Sequence, residues 1–345
     1  MTRHAMLRLA IGGLAALTLG AGHAARAQSD CASDPNALAV YHAGSLNAAF
    51  AAVEELFTQR TGICVKDVAA GSLDAARRIG VGGEVADVFA AADYLDIGLL
   101  LQPAGLANYS IAFAEGGLVL AYSTDSRGAD SIAGLDLPFN PPGSVPSAAA
   151  NWYEQISQPG VLIGGTNPFL DPTGYRIDMI FQLAALQYSQ PALYNTLLQR
   201  YTITRTTDVV GTSYDYQILY ESSAYTAYRA NPSTYRYVRL PPAVSLADPR
   251  QNKHYSQVFT VVPGLGLPNT VSKVAIPATH AVWGVTILNT APHHSAAVQF
   301  LQLLFSSEGA ALQAASGPTP ISPPVASRAD YRQLPVELQS IVTQQ

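Results

Sequence analysis

The chain has 345 residues, 48% of them hydrophobic, with 19 basic and 24 acidic side chains, seven histidines and two cysteines. A formal charge of −5 leaves no surplus of cations for a nucleic-acid face, and the high apolar content argues against a disordered chain. The length exceeds what one hydrophobic core commonly supports, so two domains are expected.

Residues 1–27 read as a secretory signal peptide. Arg3 and Arg8 are followed by an apolar run from Leu9 to Leu19 and by Ala25-Arg26-Ala27 as an A-x-A cleavage site. The run is shorter than the roughly 18 residues that a membrane span needs. No lipobox-like cysteine stands at the cleavage point, so a freely soluble periplasmic protein is expected. Removing this segment takes away three arginines and no acid, leaving 16 basic against 24 acidic side chains, a net of −8. An anion would then have to be held by local dipoles and hydroxyls. Cys31 and Cys64 are an even pair in an oxidising compartment and form a candidate disulfide.

The first predicted strand is Leu38 to Tyr41. Gly44 permits a tight turn, Ser45 follows, and Leu46, Phe50, Val53 and Leu56 or Phe57 recur at helical spacing to Gln59. The free N–H groups of such a helix start, its dipole and the Ser45 hydroxyl make an anion seat without lysine or arginine. The alternative is that Ser45 only caps its helix. The pattern recurs: Ile63 to Ala70 is extended, Gly71-Ser72 turns, and Leu73, Ala76 and Ile79 are spaced as a helix ending at Gly80. A strand at Asp87–Ala91 and a helix at Tyr94–Leu101 continue the alternation, which predicts a parallel α/β sheet. Ligands of such sheets sit beyond the carboxyl ends of the strands, where both Gly-Ser turns fall.

Gly117 to Tyr122 and Ala281 to Leu288 also read as strands, separated by a long block that contains the loop-rich Asn140-Pro141-Pro142-Gly143. The predicted division is residues 28–120 and 289–345 in lobe 1, with 121–288 inserted as lobe 2, the two closing by hinge motion on a ligand. Within the insert, Asn167-Pro168-Phe169-Leu170-Asp171-Pro172-Thr173-Gly174 is a turn. A helix follows through Ile177, Ile180, Phe181 and Leu183. Asp171 stands at that helix start, as a ligand group or as an N-cap; Arg176 is a candidate salt-bridge partner.

No G-x-S-x-G elbow or H-E-x-x-H occurs, so no catalytic residue is assigned and an enzyme, such as a secreted hydrolase, is the rival reading. His293-His294 lacks a third ligand at suitable spacing and is read as solvent-facing; no bound metal or cofactor is expected. Asp87 and Asp93 are read as structural. His42 is read as orienting its turn, and the tyrosines from Tyr214 to Tyr237 as strand-face packing.

Four stretches in this order resemble one family: His42-Ala43-Gly44-Ser45-Leu46; Gly71-Ser72 with Ala75, Arg77 and Ile79; Ala86-Asp87-Val88-Phe89-Ala90; and Asp171-Pro172-Thr173-Gly174-Tyr175-Arg176. Asp215-Tyr216 with Tyr220 and Ser222, Leu240-Pro241, Ser307-Glu308-Gly309 and Pro323-Pro324 agree. Together they look like the molybdate/tungstate-binding periplasmic components of ABC transporters, in the archaeal-type tungstate-binding branch. The resemblance implies a type II periplasmic binding fold, α/β, with two lobes, a hinge and a central cleft. It implies a monomer that hands a small oxyanion to a membrane permease, with sulfate as an alternative ligand. By motif, Gly44, Ser45 and Ser72 would donate from the first lobe, while Asp171, Pro172, Thr173 and Tyr220 would close from the second. In the family a carboxylate at the Asp171 position can approach the metal atom of the oxometallate and raise its coordination. A second carboxylate of the family's D-Y-x-x-E-Y-x-S motif is replaced here by Leu219, which leaves tetrahedral binding or a substitute ligand, Glu221, as alternatives.

Overall fold

The computed structural model describes residue 31, residues 34–133 and residues 151–345. The signal segment and the Asn140-Pro141-Pro142-Gly143 loop lie outside the described residues.

Two sheets organise the chain. The larger has seven strands, and one place in from its edge lies β1 (Leu38–Ala43), buried along its whole length. β1 pairs in parallel with β2 (Val65–Ala70) on one side and β3 (Val88–Ala91) on the other. The connection between β1 and β2 is α1 (Asn47–Thr61), entered through a single 3-10 turn at Gly44–Leu46. Leu46, Phe50, Val53 and Phe57 line its buried face, as their spacing requires. α2 (Ser72–Gly80) follows β2 directly and buries Leu73, Ala76 and Ile79. The predicted parallel sheet is therefore correct for these three strands only. Beyond β3 the sheet turns antiparallel, because a late strand, Ala281–Ile287, runs the opposite way between β3 and β4 (Ile111–Gly116).

The smaller, five-stranded sheet has β5 (Leu118–Ser123) beside β8 (Tyr216–Tyr220) and β9 (Tyr235–Arg239), with β6 (Ile163–Gly165) and β7 (Tyr201–Ile203) beyond β8. Between β6 and β7 run α3 (Pro172–Gln187) and α4 (Pro191–Arg200). α5 (Glu221–Ala230) starts where β8 ends. A separate hairpin, β10 (Phe259–Pro263) and β11 (Lys273–Pro277), precedes β12 (Ala281–Ile287), which returns to the large sheet between β3 and β4. α6 (His294–Leu304), α7 (Ser307–Ala315) and β13 (Thr319–Ala326) complete the first lobe, with β14 (Thr343–Gln344) at its edge.

Two details of the predicted division need correction. The chain leaves the large sheet at Gly116-Gly117, not after residue 120, since the whole of β5 pairs in the small sheet. It returns with β12 itself, which pairs with β3 and β4 and so belongs to lobe 1. An apolar strand carries no mark of which sheet it joins, and that is why sequence displaced both crossings. At the crossings, Leu118 N donates to Ser245 O (2.9 Å) and Ala281 N to Leu246 O (2.7 Å), lashing the connecting segments together. Gly117 is needed there: a Cβ would lie 2.3 Å from that of Ala247.

Cys31 and Cys64 are joined in a disulfide with their Cα atoms 5.1 Å apart, pinning the start of the described chain to the approach to β2.

Candidate functional site

The β1–β2 register opposes Ala43 to Ala70, so the two Gly-Ser turns that follow emerge side by side at the carboxyl ends of neighbouring strands. Neither serine caps its helix. Gly71 is the extended N-cap of α2 and makes no side-chain cap bond, and the positions preceding the 3-10 turn and α1 make none either. Instead each hydroxyl accepts a hydrogen bond from within lobe 1. Trp283 Nε1, on β12, donates to Ser45 Oγ at 2.9 Å, and the backbone N–H of Ala92, just past β3, donates to Ser72 Oγ at 3.0 Å. A hydroxyl that accepts such a bond keeps its own proton to give away.

The second lobe meets these turns directly. Asp171 is the extended N-cap of α3, and its Oδ1 accepts from Thr173 N at 2.7 Å. Pro172 occupies the first turn, where its missing N–H costs nothing. Burial pushes the Asp171 carboxyl above the usual carboxylate range, and the backbone and side chain of Thr173 pull in the opposite direction. A Cβ on Gly71 would lie 2.4 Å from Leu170 O and 3.1 Å from Asp171 Cβ, so glycine is what lets the Asp171 turn pack against the Ser72 turn. Asp74 N donates to Leu170 O across the same contact (3.1 Å).

Tyr220, the last residue of β8, is buried and donates its hydroxyl to Ala92 O at 3.0 Å. Its ring centroid lies 5.0 Å from that of Trp283. Ser222 Oγ donates to Ser45 O at 3.2 Å. The residues thus form a continuous chain of contacts, Ser45 to Trp283 to Tyr220 to Ala92 to Ser72, with the Asp171 turn packed on Gly71. Gly44 is exposed at one end, with nothing within 4 Å of where a Cβ would stand.

All the residues assigned from the sequence lie in this assembly, but not all with a free donor. The Tyr220 proton serves Ala92 O, the Thr173 N–H serves Asp171, and Pro172 has none to give. The free donors are the two serine hydroxyls and those leading N–H groups of the helix starts that are not already engaged, as Asp74 N is by Leu170 O and Asn47 N by Gly44 O. Glu221 is engaged elsewhere: Arg239 Nε donates to its Oε1 at 2.7 Å on lobe 2.

Sequence reasoning missed Trp283 and Ala92, which are 238 and 20 residues from the serines they orient. It also missed the lock beneath the site. Arg176 pairs with Asp93 at 2.8 Å, and both are almost wholly buried. Tyr175 Oη lies 2.9 Å from Asp93 and 3.1 Å from Asp96. Burial, reinforced by Asp93, holds the Asp96 carboxyl well above its ordinary range. Burial works against the Arg176 cation, but Asp93 and its neighbours outweigh it and the group stays charged. Arg77 of α2 reaches Phe169 O (2.5 Å) and Pro263 O (2.9 Å), a further bridge between lobes. Asp87 and Asp93 are structural, as read: Asp87 holds the backbone of Ala39 and His293. His294 is exposed, whereas His293 is partly buried beside Asp87 at 3.1 Å.

Two sheets joined at paired crossings, with facing turns meeting between them, define the type II periplasmic binding fold, a class built to enclose a small solute. The model of the family described as bacterial extracellular solute-binding protein matches residues 38–318, and the chain belongs to that family. A molybdate/tungstate-binding protein, WtpA, of Pyrococcus abyssi is 28% identical over 97% of this chain and 98% of its own length. An uncharacterized solute-binding protein of Petrotoga mobilis is 29% identical over 88% and 89%. Among solved structures, the sulfate-binding protein SubI of Mycobacterium tuberculosis H37Rv superposes with a TM-score of 0.56 at 15% identity, covering 90% of this chain and 94% of that one. The Azotobacter vinelandii periplasmic molybdate-binding protein gives 0.52 at 17% identity, covering 82% and 98%. Among the described residues, no helix is long and apolar enough to cross a membrane.

Proposed function

We propose that this protein captures molybdate or tungstate outside the cytoplasmic membrane and delivers it, as a monomer, to the permease of an ABC importer, with no catalytic step. The observation that carries the reading is that both serine hydroxyls are held as donors. Trp283 and Ala92 occupy their acceptor sites, so the Ser45 and Ser72 protons are left for a group that only accepts. A fully ionised tetrahedral oxyanion is such a group, and two helix N-termini supply the favourable field. Relatives that cover nearly the whole chain bear molybdate/tungstate-binding names, which supports the choice of anion.

Sulfate is the rival, because a sulfate-binding protein shares the fold. Asp171 weighs against it. A carboxylate packed on the Ser72 turn repels a sulfate oxygen, whereas it can approach the metal atom of a larger oxometallate. With Leu219 in the second carboxylate's place and Glu221 bound to Arg239, Asp171 is the single carboxylate we assign to the anion, and binding is tetrahedral or nearly so. Calorimetric titration of anion-free protein with tungstate, molybdate, sulfate and phosphate tests the ligand class. Heat of binding from the first two and none from sulfate supports the assignment; preference for sulfate or phosphate overturns it. X-ray absorption at the tungsten edge tests the geometry, since two added carboxylate oxygens would refute tetrahedral binding.

A further inference from the structure

A second cluster of ligating side chains lies in lobe 1, under α1 and apart from the ring of contacts around the cleft. His42 on β1, Glu54 on α1 and Asp67 on β2 each offer an atom, and these atoms all lie within 4.8 Å of one another. They are 12 and 13 residues apart on three different elements, a spacing that carries no motif. His42 is buried, with its ring 4.9 Å from that of Phe50. Its Nδ1 lies 2.9 Å from Ala43 O and donates to it, which leaves Nε2 as the ligating nitrogen. Nε2 faces Asp67 Oδ1 at 2.6 Å. Glu54 is 3% exposed, among Phe50, Val53 and Phe57, and neither of its carboxylate oxygens has a hydrogen-bond partner. The charged groups acting on it are Asp67 and His42.

A proton shared between His42 and Asp67 would satisfy that pair and leave Glu54 unmatched, at the cost of burying an unpartnered acid. A single dication serves all three groups at once, because its charge balances two carboxylates and a neutral imidazole needs no proton. We propose that His42 Nε2, Glu54 and Asp67 form a binding site for a divalent first-row transition ion, with one nitrogen and two carboxylate ligands. That donor set suits zinc and its neighbours and is poor in oxygen ligands for calcium or magnesium. Asp67 is about one-third exposed, so the ion reaches the site from solvent on that side and water completes its coordination. The ion rivets α1 to β1 and β2 two residues before the Gly44-Ser45 turn.

The test uses the mature protein, stripped with chelator and desalted, titrated with zinc chloride in competition with a chromogenic chelator; magnesium serves as the comparison. The expected result is one equivalent of zinc at micromolar affinity or tighter, with a raised unfolding temperature and no response to magnesium. Glu54→Gln and Asp67→Asn each weaken zinc binding at least tenfold, while tungstate affinity in the same variants, measured without zinc, stays as in the parent. Absence of stoichiometric zinc binding, or binding that both variants leave intact, overturns the site. Should Glu54→Gln fail to fold, Asp67→Asn, altered at a partly exposed side chain, decides alone. The tungstate arm reads the proposed function separately, so failure of one reading leaves the other standing or falling on its own result.

Discussion

Replacing Trp283 by phenylalanine removes one N–H and little else. The indole donates to Ser45 Oγ at 2.9 Å and packs 5.0 Å from the Tyr220 ring, and a phenyl ring keeps most of that packing. Without the donor, the Ser45 hydroxyl is free to rotate, and its proton is no longer committed to the cleft. A neutral hydrogen bond contributes about 0.5–1.5 kcal/mol net, so oxyanion affinity is expected to fall roughly fivefold. Removing the Ser45 hydroxyl itself forfeits a charge-assisted bond and costs about 1–3 kcal/mol. The informative quantity is the coupling. In a Ser45→Ala background, Trp283→Phe has no hydroxyl left to orient, so the double variant should bind about as weakly as Ser45→Ala alone. Calorimetry with tungstate on the four proteins completes the cycle. If Trp283→Phe leaves affinity unchanged, or costs as much with Ser45 absent as with it present, the orienting role is refuted.

Other outcomes follow from the same geometry. Ser72→Ala should weaken tungstate binding by about 1–3 kcal/mol, as read by calorimetry, and unchanged affinity would remove Ser72 from the site. Arg176→Met leaves Asp93 buried without its cation, so a loss of about 3–5 kcal/mol is expected, measured as a lowered urea midpoint or as weaker closure on ligand. Replacing Cys31 and Cys64 together by serine opens a 33-residue loop and should cost about 4 kcal/mol in denaturant titration. The Glu54 carboxyl is pushed up to about 8, first by burial and then by Asp67. The folded state therefore holds a proton that the unfolded chain releases near its ordinary value. The resulting stability is complete at acid pH and is lost progressively as pH rises toward about 8. In the presence of chelator, Glu54→Gln should flatten that decline, a difference of a few kcal/mol by linkage; an unchanged slope would show that Glu54 titrates normally.

The strand-turn-helix units around Ser45 and Ser72 were legible because their signals are local: an apolar run, a glycine, a serine, then helical spacing. The same locality explains what was missed. Trp283 reads as one more apolar residue in a buried strand, and only the insertion of β12 between β3 and β4 brings its indole over Ser45. Asp93 and Arg176 are 83 residues apart and belong to different lobes, so nothing near either one announces their pairing. The Asp171 turn sits between these cases. Its N-cap chemistry was visible in sequence, and its contact with Gly71 needed both lobes in place. Tyr220 matched a family motif, yet its hydroxyl proton goes to Ala92 O, a backbone acceptor that no motif could name.

The proposed anion seat lies between the Gly44-Ser45 turn, the Gly71-Ser72 turn and Asp171. Crystals grown with tungstate, with diffraction recorded at the tungsten absorption edge, locate the metal atom directly. One anomalous peak between Ser45 Oγ and Ser72 Oγ, with Asp171 facing it, is the predicted result. A peak elsewhere on the chain, or no peak in protein that remains folded, would contradict it.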